Sequence, residues 1–182
     1  MASDPRNPAR AGELWPPRRL EEQEETVSAL FDAHPEAWTL SGGYAWHVMS
    51  PLGHEELKTH HDHKDTDLFI RPELFPSVLP TLKDLGFVKA RTLHDDPSGN
   101  FVRYTKFQEG GKLVLDIFIQ EVPNISLSYG SRMYRLVEPR HLLSLYKTVH
   151  GSTGCTAVRA AKKLLAYGIS PVGRPELIGA VH

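Results

Sequence analysis

The 182-residue sequence lacks several features that would assign it to a class at once. Its single cysteine, Cys155, excludes an internal disulfide and is compatible with a reducing compartment. With 21 basic and 22 acidic residues, the formal net charge is −1, so no global field attracts nucleic acid or an anionic membrane. No apolar run approaches membrane-spanning length, and the N-terminal stretch has no apolar segment typical of a secretory signal. We therefore expect a cytoplasmic protein with no membrane partner.

The length and apolar content suit one domain with a single core. Four prolines within residues 1–18 predict an irregular N-terminal arm there, and residues 19–182 are predicted to form a single domain. The spacing of apolar residues predicts helices over 20–34, 43–48, 72–85, 139–149 and 155–167, and strands over 37–40, 65–71, 87–92, 101–107, 112–119 and 133–137. This order predicts an α+β domain, α/β-like in its alternation, with a mixed β-sheet flanked by helices and followed by C-terminal helices.

Three aspartates on two predicted strands carry the functional prediction. Asp65 and Asp67 stand two residues apart, so their side chains should project from the same face of a strand. Their charges repel each other and do not favour a sheet, whereas a bound divalent cation would make them a ligand set. Asp116 is the one acid in an otherwise apolar strand, where a carboxylate needs a partner. We predict that these acids are catalytic and ligate metal; the structural alternative is a solvated strand end and one satisfied buried aspartate.

A Gly-Gly pair, Gly42 and Gly43, follows the strand over 37–40, where it would let the backbone approach a ligand or form a tight turn. Residues 41–45 (Ser-Gly-Gly-Tyr-Ala) and 63–68 (His-Lys-Asp-Thr-Asp-Leu) together resemble the nucleotidyltransferase superfamily with a polymerase-β-like core. Within this superfamily, the sequence around these motifs is most similar to the small antibiotic nucleotidyltransferases, which modify aminoglycosides or lincosamides, and to toxin-type nucleotidyltransferases. The resemblance covers about residues 38–120. It departs from the family in a longer spacer before Asp65 and in Thr66, which stands where an apolar residue is typical.

This resemblance implies a magnesium-dependent enzyme that moves a nucleoside monophosphate from an NTP, preferentially ATP, to a hydroxyl group and releases pyrophosphate. Asp65 and Asp67 would hold Mg²⁺ with the nucleotide, and Asp116 would complete a metal that faces the acceptor or act as the general base. The acceptor is either a small antibiotic-like molecule or a hydroxyl of RNA or protein, and the oligomeric state stays open.

A nucleotide-binding set is predicted around these acids, in part from the resemblance, which implies that Gly42 and Gly43 open the helix that holds the triphosphate. Ser41, Gly42 and Gly43 lie at a helix start, which is an anion-binding position. His63, next to the acids, and Lys147, on the helix over 139–149, are the other predicted phosphate contacts.

Two other classes of function stay open. A non-catalytic nucleotide-binding module would keep the glycine turn but would have no need for three acids that repel one another. His54, His60, His61 and His63 lie within ten residues and close to acids, which indicates a histidine-loop metal-dependent phosphohydrolase as the third hypothesis. Against it, ligands clustered on one loop lack the second set that such a hydrolase needs.

Overall fold

The computed structural model describes residues 17–49, 65–91, 98–108, 111–129 and 131–150, together with 162 and 165. The helices within these ranges are α1 Pro17–Ala33, α2 Gly42–Met49, α3 Phe75–Asp84 and α4 Pro139–His150. The strands are β1 Trp38–Leu40, β2 Asp65–Ile70, β3 Val88–Ala90, β4 Phe101–Gln108, β5 Gly111–Ile119, β6 Asn124–Tyr129 and β7 Arg132–Val137.

These seven strands form one mixed sheet in the order β3-β4-β5-β2-β1-β7-β6. The central pair, β2 and β5, runs parallel, and β4 joins the outer side of β5 as an antiparallel hairpin. On the other side, β1 is antiparallel to β2 and parallel to β7. The described part of the chain is therefore α+β with a mixed sheet, which confirms the predicted fold class.

One face of the sheet packs against α1 and forms the core. Leu68 and Ile70 of β2 are buried on this face, and Thr66, two residues earlier, is buried with them. Helix α1 reaches the far strands as well, because the ring of Phe31 packs edge-on against Tyr134 of β7, with 5.0 Å between ring centroids. We call the opposite face, which carries Asp65 and Asp67, the acid face.

The structure corrects the sequence prediction at one strand. The apolar spacing predicts no strand directly after Pro123, but residues 124–129 form β6 and pair with β7 along their whole length. Serines alternate with buried Ile125 and Leu127, so the strand has one apolar face and one polar face. The polar serines and the preceding proline resemble loop composition, which hid an ordinary edge-strand pattern.

Several element boundaries also differ. Helix α1 begins at Pro17, inside the predicted arm, while residues 1–16 lie outside the described residues. Helix α3 begins at Phe75 because residues 72–74 form a turn. Of the helix predicted over 155–167, only positions 162 and 165 are described, and both are helical. None of the helices in the described ranges has the length and apolar character needed to cross a membrane.

Candidate functional site

The predicted acids come together on the acid face. Because β2 and β5 are in parallel register, Asp67 lies beside Asp116 and Asp65 lies beside Val114. Neighbouring strands are about 4.8 Å apart, so the carboxylates of Asp67 and Asp116 project from the same face at adjacent positions. The residues that the sequence analysis separated by about fifty positions therefore form one acidic cluster.

Asp116 is bound by an arginine that the sequence analysis missed. Arg103 on β4 lies directly opposite Asp116 in the hairpin. Its Nε donates to Asp116 Oδ1 at 2.6 Å and its Nη2 donates to Oδ2 at 2.5 Å. The Asp116 side chain is only 9% exposed and that of Arg103 is 32% exposed. This forked pair is the partner that a buried carboxylate needs.

The hairpin register held the signal for Arg103. Gln108 pairs with Gly111 across the turn. Each step back along β4 is matched by one step forward along β5, so Arg103 faces Asp116. A strand break around residues 109–111 was already predicted, and counting outward from it places residue 103 opposite 116. A basic residue at that position is the natural counter-ion for a lone acid in an apolar strand.

Burial and neighbouring charges both act on Asp67. Burial of this carboxylate raises its pKa well above the ordinary aspartate value, and the nearby charges of Asp65 and Asp116 raise it further. The guanidinium of Arg103 acts in the opposite direction. The pKa of Arg103 is itself raised, chiefly by its hydrogen bond to Asp116. Within the described residues, the cluster brings three carboxylates together beside the guanidinium of Arg103, a set of oxygen donors that suits a bound cation.

The glycine turn meets the acids at Asp67. The backbone N–H of Ser41 donates to the carbonyl oxygen of Asp67 at 2.8 Å, which holds the turn against β2. Gly42 begins α2 with a φ of +60°, a left-handed conformation that favours glycine. A Cβ added to Gly42 would lie 1.8 Å from Oδ2 of Asp67, so the carboxylate occupies the space that a side chain would fill. Gly43 follows in the buried first turn of α2.

Thr66, which departs from the family pattern, has a defined structural role. Its Oγ1 accepts a hydrogen bond from Nε2 of Gln23 at 2.7 Å, and both side chains are buried. Gln23 lies on α1, so this bond ties the helix to the strand at the residue between Asp65 and Asp67. A polar residue at position 66 is therefore satisfied on the core face while its neighbours point to the acid face.

The donor chemistry of Asp65 and Asp67 fits a magnesium ion. Mg²⁺ takes hard oxygen ligands and is usually held by one or two carboxylates with phosphate oxygens and water. The raised pKa of Asp67 reflects burial and like charges, which a bound cation would offset. No group of three or more His, Cys, Asp or Glu side chains is preassembled for a metal within the ranges that the structure describes. Both oxygens of Asp116 are bonded to Arg103, and metal ligation by Asp116 stays a prediction.

The structure does not test the predicted roles of the remaining residues. His63 lies outside the described residues, as do His54, His60 and His61. Lys147 lies on α4 with an exposed side chain, next to buried Tyr146. The phosphate contacts of His63 and Lys147 therefore stay predictions, and so does the histidine-loop hypothesis.

Comparison with known proteins identifies the fold. No protein-family model and no curated protein sequence matches the chain. The solved structure of the lincosamide antibiotic adenylyltransferase LnuA, with lincomycin bound, is similar with a TM-score of 0.55 and 15% identity, over 85% of this chain and 99% of that one. The antibiotic-resistance factor ANT(2″)-Ia, solved in solution, is similar with a TM-score of 0.56 and 14% identity, over 82% of this chain and 85% of that one. The chain therefore has the nucleotidyltransferase fold, as the sequence resemblance implied.

Proposed function

We propose that this protein is a magnesium-dependent nucleotidyltransferase that moves an NMP group from an NTP to a hydroxyl of a second substrate. The observation that carries the proposal is the position of Asp67. Its carboxylate lies against the glycine that begins α2 and beside Asp116, so a helix start suited to phosphate and a cluster suited to a cation meet at one point. The shared fold supports the same reaction class.

The proposed roles follow from the chemistry of each group. Asp65 and Asp67 hold Mg²⁺, which when bound would offset the charge of the triphosphate. The first N–H groups of α2, at Gly42 and Gly43, donate to phosphate oxygens, because they lack helical acceptors and glycine permits close approach. Because Gly42 has no Cβ, the Asp67 carboxylate can lie close to the start of α2, where it and the phosphates would bind the same cation.

In the reaction, an acceptor oxygen forms a bond to the α-phosphorus of the NTP, and the bond from that phosphorus to the bridging oxygen breaks. Pyrophosphate leaves with the electron pair of the broken bond. The hydroxyl proton passes to Asp116, whose carboxylate retains lone pairs beyond the two hydrogen bonds from Arg103. The position of Asp116 beside Asp67 on the next strand supports this role.

The acceptor we propose is a small hydroxylated molecule of the antibiotic type, with ATP as the nucleotide. This rests on the two similar structures, of which one is an adenylyltransferase with lincomycin bound and the other an antibiotic-resistance factor. A formal net charge of −1 gives RNA no general electrostatic advantage as an acceptor.

Incubation with Mg²⁺, a panel of antibiotics and total RNA, and NTPs labelled at either the α- or the γ-phosphate tests the proposal. We expect α-label in an antibiotic, no transfer of γ-label, and a loss of about a hundredfold or more in Asp65→Asn, since removing a metal ligand costs several kcal/mol of transition-state stabilisation. Exposed Asp84, at the end of α3, provides the matched control Asp84→Asn, which should transfer at the native rate.

Each alternative has a different signature in the same experiment. Transfer of α-label to RNA or to a protein would keep the reaction and change the acceptor. Nucleotide binding without transfer to any acceptor would favour the non-catalytic module. Phosphate release by a protein that retains a transition metal through purification would favour the histidine-loop hydrolase.

A further inference from the structure

Arg103 introduces a fixed positive charge at the place where a second metal ion would act. Arg103, Asp116 and Asp67 occupy one row across β4, β5 and β2. The guanidinium bonds both carboxylate oxygens of Asp116, at 2.6 and 2.5 Å.

A divalent cation on Asp116 would have to share that carboxylate with the guanidinium. A metal ion and a guanidinium bound to the same carboxylate would repel each other strongly. Water would screen this repulsion poorly, because the Asp116 side chain is only 9% exposed. The forked geometry uses the Nε and Nη2 donors of Arg103, while Nη1 has no hydrogen-bond partner among the described residues. The 32% exposure of the Arg103 side chain leaves that second edge open to a substrate oxygen.

We propose that Arg103 replaces a second metal ion in this site, so that the protein uses one Mg²⁺, on Asp65 and Asp67, and neutralises Asp116 with the guanidinium. This rests on the proposed function and deepens it. The metal on Asp65 and Asp67 serves the nucleotide, and Arg103 provides the positive charge on the acceptor side. Asp116 then contacts the acceptor hydroxyl without binding metal.

Counting bound metal tests this without a transfer assay. The protein is mixed with one equivalent of an ATP analogue whose α,β-bridge is methylene and is titrated with Mn²⁺, while the free-ion EPR signal reports unbound metal. We expect the native protein to bind one Mn²⁺ per chain. In Arg103→Met, which removes the guanidinium from Asp116, we expect two.

Arg132 on β7 provides a matched control, because it forms the same forked pair with Asp32, at 3.0 Å for both bonds, on an exposed part of the surface. Arg132→Met removes the same charge and the same geometry away from the acid face and should still bind one Mn²⁺. Circular dichroism and thermal melting of both variants establish that they fold.

The number of bound Mn²⁺ ions distinguishes a one-metal site, a two-metal site and a protein that binds no metal with the nucleotide. Two Mn²⁺ per native chain overturn the inference and leave the nucleotidyltransferase proposal intact, and this measurement needs no variant to fold. One Mn²⁺ in both the native protein and a folded Arg103→Met also overturns it, because Arg103 would then not be what excludes the second ion. No Mn²⁺ bound with the nucleotide analogue would contradict the proposed function itself.

Discussion

At the scale of single residues, the site depends on Asp67 and Gly42, which are distant in sequence and in contact in the fold. The carboxylate of Asp67 fills the space beside the Gly42 Cα, and the backbone of Ser41 bonds to the carbonyl of Asp67. The glycine thus serves the acid directly, in addition to permitting the positive φ with which α2 begins.

Gly42→Ala is expected to lower the rate of nucleotidyl transfer by about a hundredfold or more. The new Cβ would lie 1.8 Å from Oδ2 of Asp67 and would displace this proposed metal ligand. It should also lower the free energy of unfolding by about 1–2 kcal/mol for the left-handed backbone. Gly86→Ala is the matched control: Gly86 has a φ of +83°, but its added Cβ would meet only Lys106, at 3.7 Å. Equal transfer rates in the two variants, measured with the α-labelled NTP, would contradict this account of Gly42.

Asp67→Asn is expected to stabilise the metal-free protein. An acid whose pKa is higher in the folded than in the unfolded state binds protons more readily when folded, so it reduces stability at pH values above its folded pKa. That penalty diminishes as the pH falls through the folded pKa towards 3.8, the ordinary value for aspartate. Thermal melts in EDTA should therefore show a higher Tm for Asp67→Asn at pH 7 and a smaller difference near pH 4. A lower Tm for the variant at pH 7 would show that the charge of Asp67 is already compensated.

The sequence carried part of this information at the residue scale. The acids could be predicted because carboxylates at alternate strand positions and a lone acid in an apolar strand both require an explanation. That Asp116 needs a partner was also clear, but its identity as Arg103 depended on the register of one hairpin. The contact between Gly42 and Asp67 depends on how a turn packs against a strand, which sequence spacing does not determine.

At the scale of elements, the tie between α1 and β2 positions the two acids of β2. Gln23 of α1 bonds to Thr66, which lies between Asp65 and Asp67. The Oε1 of Gln23 is buried and has no hydrogen-bond partner among the described residues. The amide is therefore held through its Nε2, which donates to Thr66 Oγ1 at 2.7 Å and to the Asp65 carbonyl at 3.4 Å. Thr66 departs from the family pattern, and its hydrogen bond to Gln23 of α1 explains the polar side chain at this position.

Thr66→Val should lower the free energy of unfolding by about 1–3 kcal/mol, because it removes the shorter of the two hydrogen bonds that the buried Gln23 Nε2 donates and leaves only the longer one, to the Asp65 carbonyl at 3.4 Å. The double variant Gln23→Leu/Thr66→Val should recover part of that loss, since both partners of the bond are then apolar. Denaturant unfolding of the native protein, both single variants and the double variant closes the cycle. Strictly additive effects would show that the two side chains are not coupled.

Strand β6 shows where element prediction from sequence fails. Its buried Ile125 and Leu127 alternate with polar residues, but the strand follows Pro123 and carries two serines, a composition shared with loops. Residues 124–129 form a strand because they pair with β7, and this pairing is a tertiary contact that local composition does not reveal. By contrast, β5 could be predicted because an apolar run interrupted by a single acid is typical of a central strand. The apolar second half of β2, residues 68–70, carries the same signal.

At the scale of the whole molecule, the order of the sheet brings the parts of the site together. β2 lies between β1, which leads into the glycine turn, and β5, which carries Asp116. The alternation of elements predicted an α+β fold with a mixed sheet, and the resemblance implied the nucleotidyltransferase fold; the structure and its two similar solved structures confirm both. The strand order itself could not be derived from spacing, because the crossover connections that set it follow from packing.

The account as a whole rests on Asp67 serving nucleotidyl transfer. The most direct measurement is the rate at which Asp67→Asn transfers α-label from ATP to the acceptor identified by the panel, with Asp84→Asn alongside. We expect Asp67→Asn to lose at least about a hundredfold in rate while Asp84→Asn keeps the native rate. Transfer by Asp67→Asn at the native rate would contradict the central claim.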